Sequence, residues 1–214
     1  IVLTNDITIN LEAGSADRSA DHVLVSGSKT YYNAVNIIGQ NIAFDLNGHK
    51  ITAVSDAADS NRNIFDVNGG TLTVANGTIE YTHKGSNTYN GNQDVGALFF
   101  VDKSGSLNII DRKGGGFIKM ASSIYMVWAP YESPSYVDIY SGAFIADSYA
   151  DDPIGKSTDP DSEDGTMQNE NSNRALLYAG TGGNMNIYGG YFLYNNTPND
   201  IKNRNNGAFN CTNG

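Results

Sequence analysis

The sequence predicts an all-β protein, a single-stranded right-handed parallel β-helix (solenoid). Three observations support this prediction: a motif that recurs, alternation of period two inside it, and frequent glycine turns. The motif is an apolar-x-apolar pair, then a glycine turn, then a second apolar run. Its four copies begin at Leu72, Leu107, Val137 and Met185. Because each unit can bury its apolar side chains only against its neighbours, the recurrence predicts stacked coils.

Each motif reads as two strands joined by a turn. In Val137-Asp138-Ile139-Tyr140 the alternation has period two, so one set of side chains points inward and the other outward. No window has apolar residues at helical spacing over three turns, and the 24 glycines disfavour helix interiors. The unequal intervals between motif copies favour a solenoid over a sandwich, because stacked coils accept insertions as lateral loops.

The common phase of the four repeats predicts which side chains form the core. One inner sheet is expected to be lined by Leu72, Val74, Leu107, Ile109, Val137, Ile139, Met185 and Ile187. A second inner sheet is expected to be lined by Ile79, Phe117, Phe144 and Phe192.

The 214 residues suit one domain, 1–214, with core coils from about 41 to 195. Three polar excursions interrupt the coils, at 55–63, 83–95 and 147–174, and the last of them is the longest. Loops of such length in compact domains are usually either functional or disordered. We therefore expect lateral loops on a single solenoid body.

Several segments resemble a known family. The segments 45–52 (DLNGHKIT), 65–74 (FDVNGGTLTV) and 76–79 (NGTI) are similar to the coil signature of bacterial right-handed parallel β-helix proteins of the pectate-lyase-like superfamily. Within that superfamily they resemble in particular adhesin-like surface proteins and phage fibre proteins, and the segment 189–192 (GGYF) resembles a coil end of the same group. The resemblance implies the fold and marks structural turns, but it carries little information about chemistry.

Composition narrows the classes of partner. The formal net charge of −10 disfavours nucleic acid, whereas cationic groups, divalent metals and neutral glycans stay open. No stretch approaches the roughly 20 apolar residues of a membrane helix, so we expect no membrane insertion. Composition agrees with an extracellular or cell-surface location.

The start of the sequence and its single cysteine are two further features. Ile1-Val2-Leu3 is interpreted as part of a strand, which suggests a processed or excised start. The single cysteine, Cys211, has no internal disulfide partner.

The long excursion contains the densest acidic cluster of the chain. Asp159, Asp161, Glu163 and Glu170 resemble a calcium-binding loop in their odd-numbered oxygen ligands and the Glu at the twelfth position. The glycine that such a loop needs at its sixth position is Asp164 here, and no flanking helices are predicted. Bound Ca²⁺ is one interpretation, and a solvated acidic loop is the other.

Catalytic motifs of the superfamily are incomplete in this chain. Its lyases use an Arg or Lys base beside Ca²⁺-binding Asp residues, and its glycosidases use Asp pairs with Gly-His-Gly and Arg-x-Lys elements. The five arginines share no motif, and Gly48-His49-Lys50 matches only half of Gly-His-Gly, so we interpret His49 as an exposed turn residue. A non-catalytic module is favoured, with a polysaccharide lyase or glycoside hydrolase as the alternative.

Outward positions of the repeats suggest where a partner binds. Two neighbouring columns share the outward phase: Asn108, Asp138 and Asn186, and beside them Ile110, Tyr140 and Tyr188. Amides, a carboxylate and aromatic rings at strand spacing predict a platform for a glycan or another cell-surface polymer. Tyr and Asn ladders also stabilise parallel solenoids by stacking on themselves, so a purely structural role stays open.

Neither end of the sequence shows a cap for the strand edges of a solenoid. We therefore expect one of two arrangements. The chain associates end to end, with its last coil near 192–209 against the first strand of a neighbour, or it belongs to a longer chain whose coils supply the caps.

Overall fold

The computed structural model describes residues 1–12, 17, 23–26, 29–56, 62–84, 97–121, 125–129, 134–147, 175–195 and 207–211. Regular structure in these ranges consists of strands. The strands are β1 Ile7–Leu11, β2 Val23–Ser26, β3 Lys29–Ile38, β4 Asn41–Asp45, β5 Lys50–Asp56, β6 Arg62–Asn68, β7 Thr71–Ala75, β8 Thr78–Lys84, β9 Ala97–Asp102, β10 Ser106–Ile110, β11 Phe117–Ala121, β12 Tyr125–Ala129, β13 Ser135–Ile139, β14 Ala143–Asp147, β15 Ala175–Ala179, β16 Gly183–Ile187, β17 Tyr191–Asn195 and β18 Gly207–Cys211. Within the same ranges, no helix is long and apolar enough to cross a membrane.

The strands form three sheets that the chain visits in turn. Sheet A has the order β4-β7-β10-β13-β16, sheet B the order β1-β5-β8-β11-β14-β17, and sheet C the order β2-β3-β6-β9-β12-β15-β18. One strand from each sheet makes a coil, so β4–β6 form coil 1 and β16–β18 form coil 5. Neighbouring strands are parallel, except that β2 pairs antiparallel with β3 at the edge of sheet C. The predicted parallel β-helix is confirmed.

The inner columns of sheet A match the prediction. Leu72 pairs in register with Leu107, which pairs with Val137 and then Met185. The second column continues from Val74 to Ile187 in the same way, and both columns belong to or pack against the buried core. Burial weakens only at coil 5, where Ile187 is 42% exposed.

The prediction for Phe117 is wrong. Ile118, and not Phe117, pairs in register with Phe144, and Phe117 lies outward, 38% exposed. The inward residue stands two places after the last glycine of each turn, and counting from Gly116 leads to Ile118. The other members of the column fit the prediction: Ile79 and Phe144 are fully buried and Phe192 packs against the core.

The predicted excursions all fall at one corner of the solenoid. Each lies between a strand of sheet B and the following strand of sheet C: between β5 and β6, between β8 and β9, and between β14 and β15. Residues 57–61, 85–96 and 148–174 are outside the described ranges. The corner from sheet A to sheet B is short, and the strands that follow it in sheet B stay in register from coil to coil.

In coils 1 to 4, sheet C is buried on both of its faces. Phe65 and Phe99 point into the solenoid core and stack with their ring centroids 5.2 Å apart. The next position along these strands belongs to the opposite face, where Phe100, Trp128 and Tyr178 form a separate buried cluster with neighbouring aromatic residues. Sheets A and B, in contrast, have outward faces with exposed side chains.

Candidate functional site

The outward face of sheet A consists of three columns that run across the coils. Strand register places the members of each column side by side at the strand spacing of about 4.8 Å. The first column is Asn41, Thr71, Ser106, Tyr136 and Asn184; the middle column is Ala43, Thr73, Asn108, Asp138 and Asn186; the last column is Asp45, Ala75, Ile110, Tyr140 and Tyr188. We call this surface the sheet A face.

Side chains of the middle column are linked by hydrogen bonds between coils. Asn186 Nδ2 donates to Asp138 Oδ1 over 2.8 Å. Asn108 Nδ2 donates to Thr73 Oγ1 over a longer 3.4 Å. The structure thus brings Asn108, Asp138 and Asn186 into one column, and the bonds hold their polar groups in fixed positions along the face.

The last column ends in a tyrosine stack. The rings of Tyr140 and Tyr188 have centroids 4.9 Å apart and planes inclined by only 12°. One face of Tyr140 is therefore occupied by its neighbour. Tyr188, in coil 5, is 64% exposed and Tyr140 44% exposed, so both rings keep surface for a partner. Self-stacking and solvent exposure coexist here.

Tyr136 is a member of this face that the sequence analysis did not place there. It stands two residues before Asp138 and therefore shares its outward phase, which is the signal that identifies it. Its side chain is 46% exposed and lies beside Asn184 of the next coil. The exposed tyrosines of the sheet A face are thus Tyr136, Tyr140 and Tyr188.

The sheet A face carries little charge. Its ionisable carboxylates are Asp45, in coil 1, and Asp138, which Asn186 contacts. Hydrogen bonds from the backbone N–H of Asn47 and from the side chain of Asn76 hold the pKa of Asp45 below its usual range. The three columns contain no Lys, Arg or His. A partner on this face meets amides, hydroxyls, aromatic rings and two carboxylates, and no cationic side chain of the three columns.

The corner between sheets A and B is tied together across coils. Asn47 and Asn76 adopt left-handed backbone conformations, with φ of 52° and 57°, that Asn tolerates better than most residues. Asn76 Nδ2 donates to Asp45 Oδ1 over 3.1 Å, and Lys113 Nζ donates to Asn47 Oδ1 over 2.8 Å. These bonds fix the end of the sheet A face that adjoins the corner.

His49 lies in this corner, as the turn prediction requires, with about a third of its side chain exposed. Its Nδ1 is 3.2 Å from Asp6 Oδ1, and the same carboxylate oxygen accepts a hydrogen bond from Lys50 N. That backbone bond is the main cause of the lowered pKa of Asp6. The contacts assign His49 a part in joining β1 to coil 1.

The predicted calcium ligands Asp159, Asp161, Glu163 and Glu170 lie outside the described residues. Calcium binding by that segment therefore stays a prediction. Among the residues that the structure does describe, no three His, Cys, Asp or Glu side chains are grouped so that they could hold a metal ion.

A buried carboxyl group lies on the outer side of sheet C. Asp66 is fully buried, and its Oδ2 accepts a hydrogen bond of 2.8 Å from Asn33 Nδ2, while its Oδ1 has no partner among the described residues. Burial is the main cause that raises the pKa of Asp66 to about 7, against the opposing effect of the Asn33 hydrogen bond. Asn63 extends the buried network by donating to Asn33 Oδ1. The sequence analysis did not single out this group.

Comparison of the chain with family models, with curated proteins and with solved structures finds no match. The fold consequently rests on the strand pairing itself, and the superfamily assignment stays a prediction from the sequence. Any functional conclusion has to come from the geometry of the exposed faces.

Proposed function

We propose that this chain is a non-catalytic extracellular surface or fibre module that binds a neutral glycan on the sheet A face. The observation that carries the proposal is the combination, on one rigid face, of exposed tyrosine rings with fixed amide and carboxylate groups. The tyrosines are Tyr136, Tyr140 and Tyr188, and the polar partners are Asn108, Asp138 and Asn186.

The chemistry of this face suits a sugar. A pyranose ring has an apolar side that packs on an aromatic ring, and hydroxyl groups at its rim that hydrogen-bond amides and carboxylates. On the sheet A face the tyrosine stack flanks the Asp138–Asn186 pair, so both kinds of contact are available within one or two coils. Because strand pairing fixes the columns, and stacking and hydrogen bonds already restrain these side chains, little side-chain conformational freedom has to be lost on binding.

Charge selects the class of glycan. The chain has a formal net charge of −10, and the three columns lack cationic side chains. An acidic polysaccharide would meet repulsion and no compensating ion pair, whereas a neutral chain would not. Neutral glycans of a cell surface or an extracellular matrix are therefore the partner that we propose.

A glycan array tests the proposal. The fluorescently labelled chain should bind neutral glycans and should not bind sulfated or uronic-acid glycans of similar size. Absence of binding to every neutral glycan would contradict the proposal. Release of reducing sugar or of unsaturated products from polysaccharides incubated with the chain would instead support the lyase or hydrolase alternative.

The fold also supports a structural role through end-to-end association. Strands β16, β17 and β18 are the last strands of their sheets, so each has one edge without a partner strand among the described residues. Ile187 and Phe209 of this coil are 42% and 50% exposed, although their columns point into the core. At the other end of the solenoid, β2 closes sheet C in antiparallel fashion and Val2 bridges to Asp45. Free edges of this kind are templates for pairing with another chain.

A further inference from the structure

The sheet A face ends at a short corner, beyond which the chain enters sheet B. In coil 4 only Ser141 and Gly142 separate Tyr140 from β14, and in coil 5 only Gly189 and Gly190 separate Tyr188 from β17. The stacked tyrosines therefore stand directly beside the first outward residues of sheet B.

Most outward positions of sheet B are apolar at this end. Phe117, Ala143 and Tyr191 form one outward column, and Ile145 and Leu193 lie in the next, where Lys119 is the register neighbour of Ile145 in coil 3. Tyr191 is 58% exposed and Leu193 41% exposed. These residues, from Phe117 to Leu193, form what we call the sheet B patch. Contiguous exposed apolar surface of this kind is typical of binding sites.

The same side of sheet B is polar in the earlier coils. There the outward positions carry Thr52 and Glu80, and Lys50 Nζ lies 3.1 Å from Glu80 Oε2 in a surface ion pair. The apolar outward positions thus lie mainly in coils 4 and 5, which also carry the exposed tyrosines of the sheet A face, and Phe117 of coil 3 adjoins them.

In coils 4 and 5 the corner between the two surfaces has few side chains, whereas in coil 3 it carries the exposed Arg112 and Lys113. A Cβ atom on Gly189 would stand 2.9 Å from the backbone oxygen of Tyr140, and Gly190 has a φ of 135° that disfavours any side chain. In coil 4 the Ser141 hydroxyl accepts a hydrogen bond from Asp111 N and donates one to Asp111 O. Small residues therefore form the corner in coils 4 and 5, and no bulky side chain separates the tyrosine stack from Tyr191.

We infer that the binding surface continues across this corner, so that the ligand is a neutral polysaccharide chain that contacts both the sheet A face and the sheet B patch. The inference rests on the proposed function and adds the length of the ligand to it. Tyr136 and Tyr140 are four residues apart along extended chain, which places their Cα atoms about 13 Å apart. Beyond the corner, the Cα atoms of Tyr191 and Leu193 are about 7 Å apart. A single terminal sugar cannot contact all of these side chains at once.

The apolar character of the patch agrees with a chain of this type. Sugar rings in a polysaccharide present apolar C–H faces along their length, and Tyr191, Leu193 and Phe117 offer partly exposed apolar area to such faces. Successive sugar units would then contact first the tyrosine stack, next the corner formed by small residues, and finally the sheet B patch.

Isothermal titration with neutral oligosaccharides of increasing length, from the disaccharide upward, tests the inference on the whole chain. For the glycan type that binds on the array, affinity should rise with length. Tyr191→Ala combined with Leu193→Ala should lower the affinity for the longest oligomer by roughly tenfold and leave that for the shortest unchanged. Tyr191→Phe should restore most of the loss that Tyr191→Ala alone causes. Val35→Ala, at an exposed site on sheet C, is the matched control and should bind like the unmodified chain.

The outcomes separate the two claims. Binding with an affinity independent of length, or unaffected by the Tyr191→Ala and Leu193→Ala changes, would overturn the inference and leave the proposed function intact. Absence of binding at every length would overturn the proposed function and the inference with it. Circular dichroism and thermal unfolding of each variant verify that the exposed substitutions leave the fold in place.

Discussion

The rings of Tyr140 and Tyr188 stack with their planes inclined by 12°, although residues 148–174 lie between them in the sequence. Their coils remain in register because Asp138 pairs with Asn186 and Ile139 with Ile187 on the preceding residues. An insertion at the corner between sheets B and C thus leaves the sheet A face undisturbed. This separation lets one side of the solenoid vary in sequence while the other presents an ordered surface.

Phe144 tests the core. Its side chain is fully buried and stacks on Phe192 of the next coil with ring centroids 4.9 Å apart. Phe144→Ala should lower the free energy of unfolding by roughly 3–5 kcal/mol, because a large cavity forms between stacked coils. Urea denaturation measures the loss. The matched control is Phe117→Ala, an outward and partly exposed site, where a loss comparable to that of Phe144→Ala would contradict the register described here.

Gly77 tests the close approach of the chain at the corner between sheets A and B. A Cβ atom there would stand 2.6 Å from the backbone oxygen of His49 and would also clash with Leu46. Gly77→Ala should therefore cost roughly 3 kcal/mol of stability, since the buried Leu46 has to move. Gly114, with a φ of 74° and open space around it, is the comparison: Gly114→Ala should cost only about 1 kcal/mol. Equal losses in thermal unfolding would exclude the packing explanation.

Features of the fold and of the candidate site that depend on local sequence pattern could be predicted from the sequence, whereas features that depend on contacts between distant segments could not. Period-two alternation fixes the strands and their inner side chains, so the sheet A core was predicted correctly. Phe117 was misplaced because the glycine-rich turn before it shifts the phase by one residue, and counting from Gly116 would have given Ile118. For the candidate site, the shared column of Asp138 and Asn186 follows from the repeat phase.

Other features depend on contacts between distant segments. The stacking of Tyr140 on Tyr188 requires the register of two coils, which alternation alone does not provide. Burial on the outer side of sheet C is likewise invisible in the alternation, which is why Asp66 did not stand out. The continuity of the sheet B patch with the tyrosine stack emerges only when the corner geometry is known.

Asp66 predicts an unusual pH dependence of stability. Burial raises its pKa from 3.8 to about 7 in the folded chain. Between pH 4 and 7 the folded state keeps a proton that the unfolded state releases, so stability should fall as pH rises through this window, by roughly 4 kcal/mol, and level off above it. Asp6 and Asp45, whose pKa values are lowered, act in the opposite direction and below pH 4.

Urea denaturation across this pH range checks the assignment. Asp66→Asn should remove most of the fall between pH 4 and 7 and should raise stability at pH 8 relative to the unmodified chain. A profile that keeps its slope in the Asp66→Asn variant would show that another group is responsible.

End-to-end association predicts that the chain self-associates with increasing concentration. Ile187→Lys places a charge on the exposed end of the core and should shift light-scattering masses to those of the monomer. Thr78→Lys, on an outward position of sheet B in coil 2, should leave association unchanged. A chain that stays monomeric at all concentrations would remove this part of the proposal.

The central claim is that the exposed tyrosines of the sheet A face bind a neutral glycan. Its most direct test is the affinity of the Tyr140→Ala and Tyr188→Ala double variant for the best neutral glycan, measured by titration beside the unmodified chain and the Val35→Ala control. The stack provides the main apolar contact area on this face, so we predict a loss of roughly tenfold or more in affinity, while circular dichroism verifies that the double variant stays folded. Undiminished binding by the folded double variant would contradict the account.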